Sequence, residues 1–389
     1  MSSPKLPLYA MAFGNFAVGI GSLVIAGVIE PIAAEFQVEL SAIGQLITVY
    51  ALAYAISSPL IIAFTGGIPR RLMLAIGLGL ALFGNGLAAL APNYTIMYVA
   101  RIITALGAAI FTPLAAAVAA ALTEPQNRGK AIALVFAGFS AATAIGVPLG
   151  TYVGLNFGWR ITFVAVAVLA LVGTVLVYQD LPAHIATPPV NLASFGHVLR
   201  QGPLLIILLV TLIQLAAQIS LFAYITPFIS QLTALGTTGI TLLFLANGTA
   251  GFAGNFIGGD AADRIGPRRT MLVFLLLLIV ALTALPLIEQ SLALGVALII
   301  LWGVVGLGFQ APQQTRLVQL APQLSSAVLG MNASFLYLGI SLGSYLGGIF
   351  VNRGAILQFN WLSGGLAAAA FAVFLVTWSI RPKTTQSST

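Results

Sequence analysis

This sequence predicts an all-α membrane protein, with twelve transmembrane helices in two pseudo-symmetric six-helix bundles. Three observations carry that prediction. Of 389 residues only 6% are charged and 60% are hydrophobic, with a mean hydropathy of +1.07. A soluble domain carries about 25% charged residues, so the solvent for most of this chain must be lipid. Apolar runs of about 20 residues, the length that crosses a bilayer core, recur along the whole chain. Short patterns in the first half also return in the second at a nearly constant offset.

Taken in order, the runs place spans near 8–29, 43–64, 72–91, 95–120, 131–155 and 161–179, then near 203–227, 238–258, 270–288, 291–314, 326–350 and 360–380. They are continuous, so they read as helices, whose backbone groups bond within their own segment. A membrane barrel would instead alternate over ~10-residue strands. The opening MSSPK and its apolar run resemble a signal peptide, but the run is too long and too many follow it; a retained first span is expected.

Charge sets the polarity. With a cytoplasmic N-terminus, the inside holds Lys5, Arg70, Arg71, Arg128, Lys130, Arg200, Arg264, Arg268, Arg269, Arg316, Arg381 and Lys383. Only Arg160 and Arg353 fall outside, and Arg101 alone lies within a span. This is the positive-inside pattern of an inner-membrane protein with both termini cytoplasmic. It accounts for the net charge of +7 without a nucleic-acid partner. The first outer loop carries Glu30, Glu35 and Glu39.

The longest polar stretch, 180–202, holds Asp180, His184, His197, Arg200 and the run TPPVN. It reads as a cytoplasmic linker between an N-terminal bundle, 1–179, and a C-terminal bundle, 203–389, with its histidines solvated. There is no cysteine and there are two histidines, which leaves no metal, iron–sulfur or disulfide framework. No phosphate loop appears, so nucleotide-driven work by this chain is not expected. Nor do acids or histidines cluster within spans, as a membrane enzyme would need. The expectation is a non-enzyme without cofactor, a monomer in the bilayer, with a small-molecule partner and the proton gradient as energy source.

The repeat is specific. Gly146, Gly150 and Gly154 form GxxxGxxxG in the fifth span, and Gly339, Gly343 and Gly347 form it in the eleventh. Arg160 corresponds to Arg353, the pair Arg70–Arg71 to Arg268–Arg269, and Pro113 to Pro312. Halves related by an axis along the membrane normal are a feature of certain secondary transporters, whose solute site lies between them near the midplane.

With these residues in view, the whole chain resembles the major facilitator superfamily, and more closely its bacterial drug/proton antiporter branch of arabinose, nucleoside and drug exporters. The loop GGDAADRIGPRR resembles the family's G-x-x-x-D-R-x-G-x-R signature through Gly259, Asp263, Arg264, Gly266, Arg268 and Arg269. Its glycines permit a tight turn, and its carboxylate can complement a helix N-terminus. Simple charge anchoring is the competing reading. The first-half loop TGGIPRR has Thr65 in place of the acid. Arg101, in ARIITALGAA, resembles the span-4 arginine motif. A charge within a span is costly and faces a cavity or a buried acceptor, unless it snorkels to the nearby interface. GVPLGTYVG, with Gly146, Pro148 and Gly150, resembles the antiporter signature, as FGWR at 157–160 resembles the branch. Export as the direction is implied by that resemblance alone.

One departure affects coupling. Exporters of this branch often carry an acid in span 1, where Ser22 stands here. Glu30 and Asp260 are the acids nearest a membrane edge, and each also reads as a solvated loop residue. By resemblance, spans 1, 4, 7 and 10 line the cavity. The candidate contacts are Asn15, Tyr50, Tyr54, Arg101, Gln214, Gln218, Asn247, Gln310, Gln313, Gln314 and Asn332; interhelical hydrogen bonding competes for each amide. Such a cavity suits a neutral or weakly cationic organic solute. An exporter of small organic molecules, coupled to inward protons, is the first expectation. An uptake permease or uncoupled facilitator of the same fold is the second.

Overall fold

The computed structural model describes residues 6–65, 67–124, 127–183, 185 and 192–380. Lys5, His184, the TPPVN run, Arg381 and Lys383 lie outside them. Eleven helices, of 20 to 30 residues, are long and apolar enough to cross a membrane. In the first half these are span 1 (Leu6–Gly27), span 2 (Leu40–Ile61), span 3 (Arg70–Ala89), span 4 (Tyr94–Ala121), span 5 (Arg128–Phe157) and span 6 (Trp159–Asp180). In the second they are span 7 (Gly202–Phe222), span 8 (Thr237–Ile265), span 10 (Leu292–Leu320), span 11 (Ala327–Asn352) and span 12 (Ile356–Ser379). Span 9, Pro267–Thr283, has 17 residues and is continued by a 3-10 stretch, Leu285–Glu289; at 1.5 Å per residue the two together reach about 35 Å. A short helix, Leu192–Arg200, precedes span 7. Its Phe195 and Val198 are buried against span 7 and span 11 side chains such as Leu204 and Val328.

The predicted first span stops near 29, but the helix breaks earlier. Leu6–Leu23 gives way to a 3-10 turn, Val24–Gly27, and a short helix, Ile29–Phe36, follows. Span 7 does likewise, ending at Phe222 and followed by the short helix Ile225–Leu232. Span 5 carries a π-helical turn, Ala142–Gly146, directly before Pro148. A π-turn widens the ladder by one residue, which lets the chain absorb the hydrogen bond that the proline cannot make.

The glycine repeats are packing seams. A Cβ at Gly146, Gly150 or Gly154 would lie 2.4, 2.6 or 2.3 Å from Ile20, Val24 or Val28 of span 1 and the residue after it. In the second half, a Cβ at Gly339 or Gly343 would lie 2.3 or 2.5 Å from the Leu212 or Ala216 carbonyl oxygen of span 7. The first-half seam thus seats span 1 side chains against bare glycines, and the second-half seam brings two backbones together.

The two ends of the molecule differ in charge. At the basic end, the loop glycine Gly266 has φ +87°, a conformation that other residues resist, and it turns the chain from span 8 into span 9. Arg268 then donates to the carbonyls of Trp378, at 3.0 Å, and Ile380. Arg71 does the same in the first half, reaching the Leu181 carbonyl at 3.4 Å and lying over the Tyr178 ring. Cations on the last carbonyls of a helix complement its dipole. Arg316 departs from expectation. It is not a loop residue but sits within Gln310–Leu320, 2% exposed, donating to the Thr377 hydroxyl at 2.9 Å and to its carbonyl. Sequence placed it with the loop charges because the helix continues past the predicted end of the span.

At the opposite end, Arg160 forms an ion pair with Glu35 and donates to the Ala91 carbonyl at 2.7 Å. Trp159 donates its indole N–H to Glu35 at 2.6 Å. Partial burial pushes the Glu35 carboxyl up, but the hydrogen bonds from Arg160 and Trp159 and the Arg160 charge outweigh it and hold its pKa below the usual value. The stability this contributes is present above the unfolded carboxyl's pKa and is lost as pH falls through the folded one. Thermal melts of the purified protein are therefore expected to be level above about pH 5 and to drop below about pH 4. Glu35→Gln should flatten that acid slope and lower the plateau by about 1 kcal/mol or less, since the pair is half-exposed.

Candidate functional site

Helix breaks create the polar chemistry of the interior. Where span 1 shifts to 3-10 pairing at Val24, carbonyls one turn earlier are released from the α-ladder. Arg101 of span 4 takes two of them, donating to Gly21 at 2.6 Å and Ser22 at 3.2 Å. Its guanidinium also lies 4.4 Å from the centre of the Tyr50 ring. Arg101 is 0% exposed, so of its two sequence readings the buried acceptor holds and the snorkel does not. Both its recorded hydrogen-bond partners are neutral carbonyls.

Span 10 breaks at Phe309, three residues before Pro312. The Gly306 carbonyl there accepts from Gln214 at 3.1 Å and from Gln218 at 3.5 Å, both of span 7. Each half therefore has a polar side chain serving a broken helix, reached across the span 1–span 4 pair in one half and the span 7–span 10 pair in the other.

A second pair of ties lies nearer the basic end. Thr112 donates to Asn15 at 2.9 Å, and Asn15 to the Val135 carbonyl at 3.0 Å, joining spans 4, 1 and 5. Gln313 donates to Thr211 at 2.8 Å, and Thr211 to Asn332 at 2.7 Å, joining spans 10, 7 and 11. Such interhelical bonds contribute ~0.6 kcal/mol each. They engage Asn15, Gln313 and Asn332 in packing, not with the cavity.

The cavity itself lies between the helices of the two halves and holds about 80 Å³. Spans 1, 5, 7, 8 and 10 line it, with Thr143, Gln218, Asn247 and Trp302 as its polar side chains and Phe222 and Phe244 on its aromatic wall. Trp302 donates to Gln218 at 3.2 Å, and Asn247 donates to the Ile299 carbonyl at 3.1 Å. Of the predicted contacts, Gln218 and Asn247 line it. Gln214 is fully buried beside it. Gln310 has neither amide atom paired, while Gln314 is exposed. Tyr50 and Tyr54 pack instead between spans 2 and 11, where Tyr54 stacks on Tyr337 at 3.6 Å.

Over the cavity, the opposite end is closed. Ser344 of span 11 donates to the Gly44 carbonyl of span 2 at 2.8 Å, and Thr226 donates to the Ala26 carbonyl at 3.1 Å. Tyr224 donates to the Ser344 carbonyl at 3.1 Å. A Cβ at Gly44 would lie 1.8 Å from the Tyr224 oxygen. Lower down, Gly248 of span 8 meets the Thr143 carbonyl of span 5.

The predicted coupling residues scatter. Asp260 and Arg264 form an exposed i, i+4 ion pair at 2.9 Å, and Asp263 is exposed nearby. Glu30 is half-buried on the short helix after span 1. Among the described residues no group of three or more His, Asp or Glu side chains could hold a metal ion.

The Major Facilitator Superfamily model matches residues 11–344 and 238–389. This chain belongs to that superfamily. Its members are transporters, not enzymes. Two relatives span nearly its whole length. It is 31% identical over 376 residues to the uncharacterized MFS-type transporter YbcL of Bacillus subtilis (strain 168), covering 97% of this chain and 96% of that protein. It is 30% identical over 376 residues to the inner membrane transport protein YdhP of Escherichia coli (strain K12), covering 96% of each. Among solved structures, a bacterial homolog of the human lysosomal transporter Spinster, inward-facing and unoccupied, shares the fold at a TM-score of 0.76 and 17% identity, covering 97% of this chain and 98% of that one.

Sequence reasoning passed over Trp302, Phe222, Phe244, Thr143 and Tyr224. Aromatic residues in a lipid-soluble span read as lipid-facing until packing is known. Gly303 and Gly306, close after Trp302, were the available signal: small residues mark a helix face apposed to another helix.

Proposed function

We propose that this superfamily transporter exports small organic molecules, of the drug, sugar or nucleoside class, across the inner membrane by alternating access and proton antiport. In this reading residues 1–179 and 203–389 are two rocking units joined by 180–202, a monomer suffices, and the basic end with both termini is cytoplasmic. What supports the reading is a small cavity between the halves, sealed at the opposite end by the Ser344–Gly44 and Thr226–Ala26 bonds. Gln218 and Asn247 contact the solute. The π-turn at Ala142–Gly146 with Pro148, between the seam glycines Gly146 and Gly150, is the flexible point of span 5. Asp263, Arg264 and Arg268 steady the basic-end loop, and Arg101 holds the break in span 1. Glu30 and Asp260 are the candidate proton carriers.

One observation favours a second reading, uptake or uncoupled facilitation: among the described residues, no acid lines the cavity. Proteoliposomes with an imposed pH gradient separate the two. Antiport requires solute flux that follows the gradient and reverses with it. Flux indifferent to the gradient eliminates it.

A further inference from the structure

We infer that Asn85 of span 3 is the second acceptor of Arg101, taken up when the end opposite the basic one opens, which makes Asn85 a positioning residue for transport. This rests on the alternating-access reading proposed above. Two buried groups each lack what the other offers. Arg101 is 0% exposed and gives its two terminal nitrogens to the Gly21 and Ser22 carbonyls, but its Nε–H has no partner. Asn85 is 1% exposed. Its Nδ2 donates to the Ala81 carbonyl of its own helix at 2.7 Å, which fixes the turn of the amide, because a carbonyl only accepts. Its Oδ1 is left without a partner. Buried polar atoms are paired with few exceptions, and here a donor and an acceptor are both stranded.

The two groups meet the same residue. A Cβ on Gly21 would lie 3.4 and 3.5 Å from Nδ2 and Oδ1 of Asn85, and the carbonyl of that Gly21 holds Arg101 at 2.6 Å. Their helices touch one residue earlier, where a Cβ on Gly84 would lie 2.9 Å from the Ala100 carbonyl oxygen. Among the described residues no acid pairs with Arg101, so its charge depends on neutral oxygens. With the opposite end closed, the break before the turn Val24–Gly27 supplies two of them. When span 1 returns to α-helical pairing it consumes those carbonyls, and a guanidinium left without an acceptor inside a membrane is costly. Oδ1 of Asn85 is the free acceptor beside it. Span 1 then has two discrete arrangements, each with Arg101 bonded, as a switching element requires.

The chain has no cysteine, so labelling of Ala26→Cys by a maleimide, in detergent with no solute or gradient, reads how often the opposite end opens. Asn85→Leu removes the acceptor used in the open arrangement. A hydrogen bond to a charged group is at stake, so labelling should slow about tenfold. Asn85→Asp offers a charged, stronger acceptor at the same place, so labelling should quicken by a similar factor. Flux in proteoliposomes should fall in both, since each variant holds one state. A packing role would not give opposite shifts from one position. In the Arg101→Met background, Asn85→Leu should change labelling by less than about twofold, because the group it serves is gone. Melting curves report folding, and Asn85→Ala, which removes the same acceptor without added bulk, stands in if the leucine variant does not fold. Labelling that neither variant changes overturns the inference. So do shifts in the same direction, or an Asn85→Leu effect that persists undiminished without Arg101. Opposite labelling shifts with normal flux leave the exchange standing and sink the alternating-access reading.

Discussion

Arg101→Met is expected to cut transport at least tenfold while changing stability little. Two effects oppose each other in the folded protein. Removing a guanidinium from the membrane interior relieves roughly 2.5–3.5 kcal/mol of insertion cost. Leaving the Gly21 and Ser22 carbonyls unpaired costs about 1–3 kcal/mol each. These nearly cancel, and the chain has a way to avoid the second. Without Arg101, the turn Val24–Gly27 can return to α-helical pairing and consume its own carbonyls. Span 1 then straightens, and Ala26 leaves its bond with Thr226. The damage falls on the geometry that closes the opposite end, not on the folding free energy. Proteoliposome flux and thermal melts measured on the same preparation separate the two. Hydrogen exchange at the Ile25 and Ala26 amides should slow in the variant. Arg101→Lys keeps the charge but not the fork that reaches two carbonyls, so intermediate flux is expected. Normal flux from well-folded Arg101→Met would sink this account.

Gly44→Val is expected to hold the opposite end open. The new Cβ would sit 1.8 Å from the Tyr224 hydroxyl and 2.4 Å from its ring carbon. Tyr224 has little room to yield, because its ring is stacked on Phe359 at 5.5 Å and its hydroxyl is bonded to the Ser344 carbonyl. Overpacking a tight contact costs about 1–3 kcal/mol, which moves a two-state equilibrium roughly 5- to 150-fold toward the open state. The chain has no cysteine, so a single Ala26→Cys reports directly. Its labelling by an impermeant maleimide applied from that side should accelerate in the Gly44→Val background, and transport should fall. Equal labelling rates in both backgrounds would show that the Gly44–Tyr224 contact does not gate.

Part of the site was legible beforehand, for a specific reason in each case. Gln214 and Gln218 stand out because two amides four residues apart in an apolar helix share a face and need partners. Asn247 and Arg101 stand out in the same way. Which partner each one took was not legible. Asn15, Gln313 and Asn332 have the same chemistry as Asn247, yet they tie helices together nearer the basic end and Asn247 faces the cavity. Tyr50 and Tyr54, an i, i+4 pair, join an aromatic stack with Tyr337 at the seam between halves. Arg316 was misplaced because its span runs past the apolar run that marked it.

By itself the sequence determined the solvent, the all-helical class, the two-fold repeat and the charge asymmetry of the ends. Each of these is a local or summed property of the chain: hydropathy over ~20 residues, a fixed offset between glycines, the placement of arginines in loops. The tertiary structure decided where helices break, which carbonyls those breaks release, and which side chains come from another span to meet them. Those outcomes depend on contacts between residues about 80 to 300 positions apart, such as Arg101 with Gly21 or Ser344 with Gly44. In a chain whose spans are mostly apolar, hydrophobicity no longer tells core from surface, so helix-to-helix packing selects the few polar atoms that face the cavity.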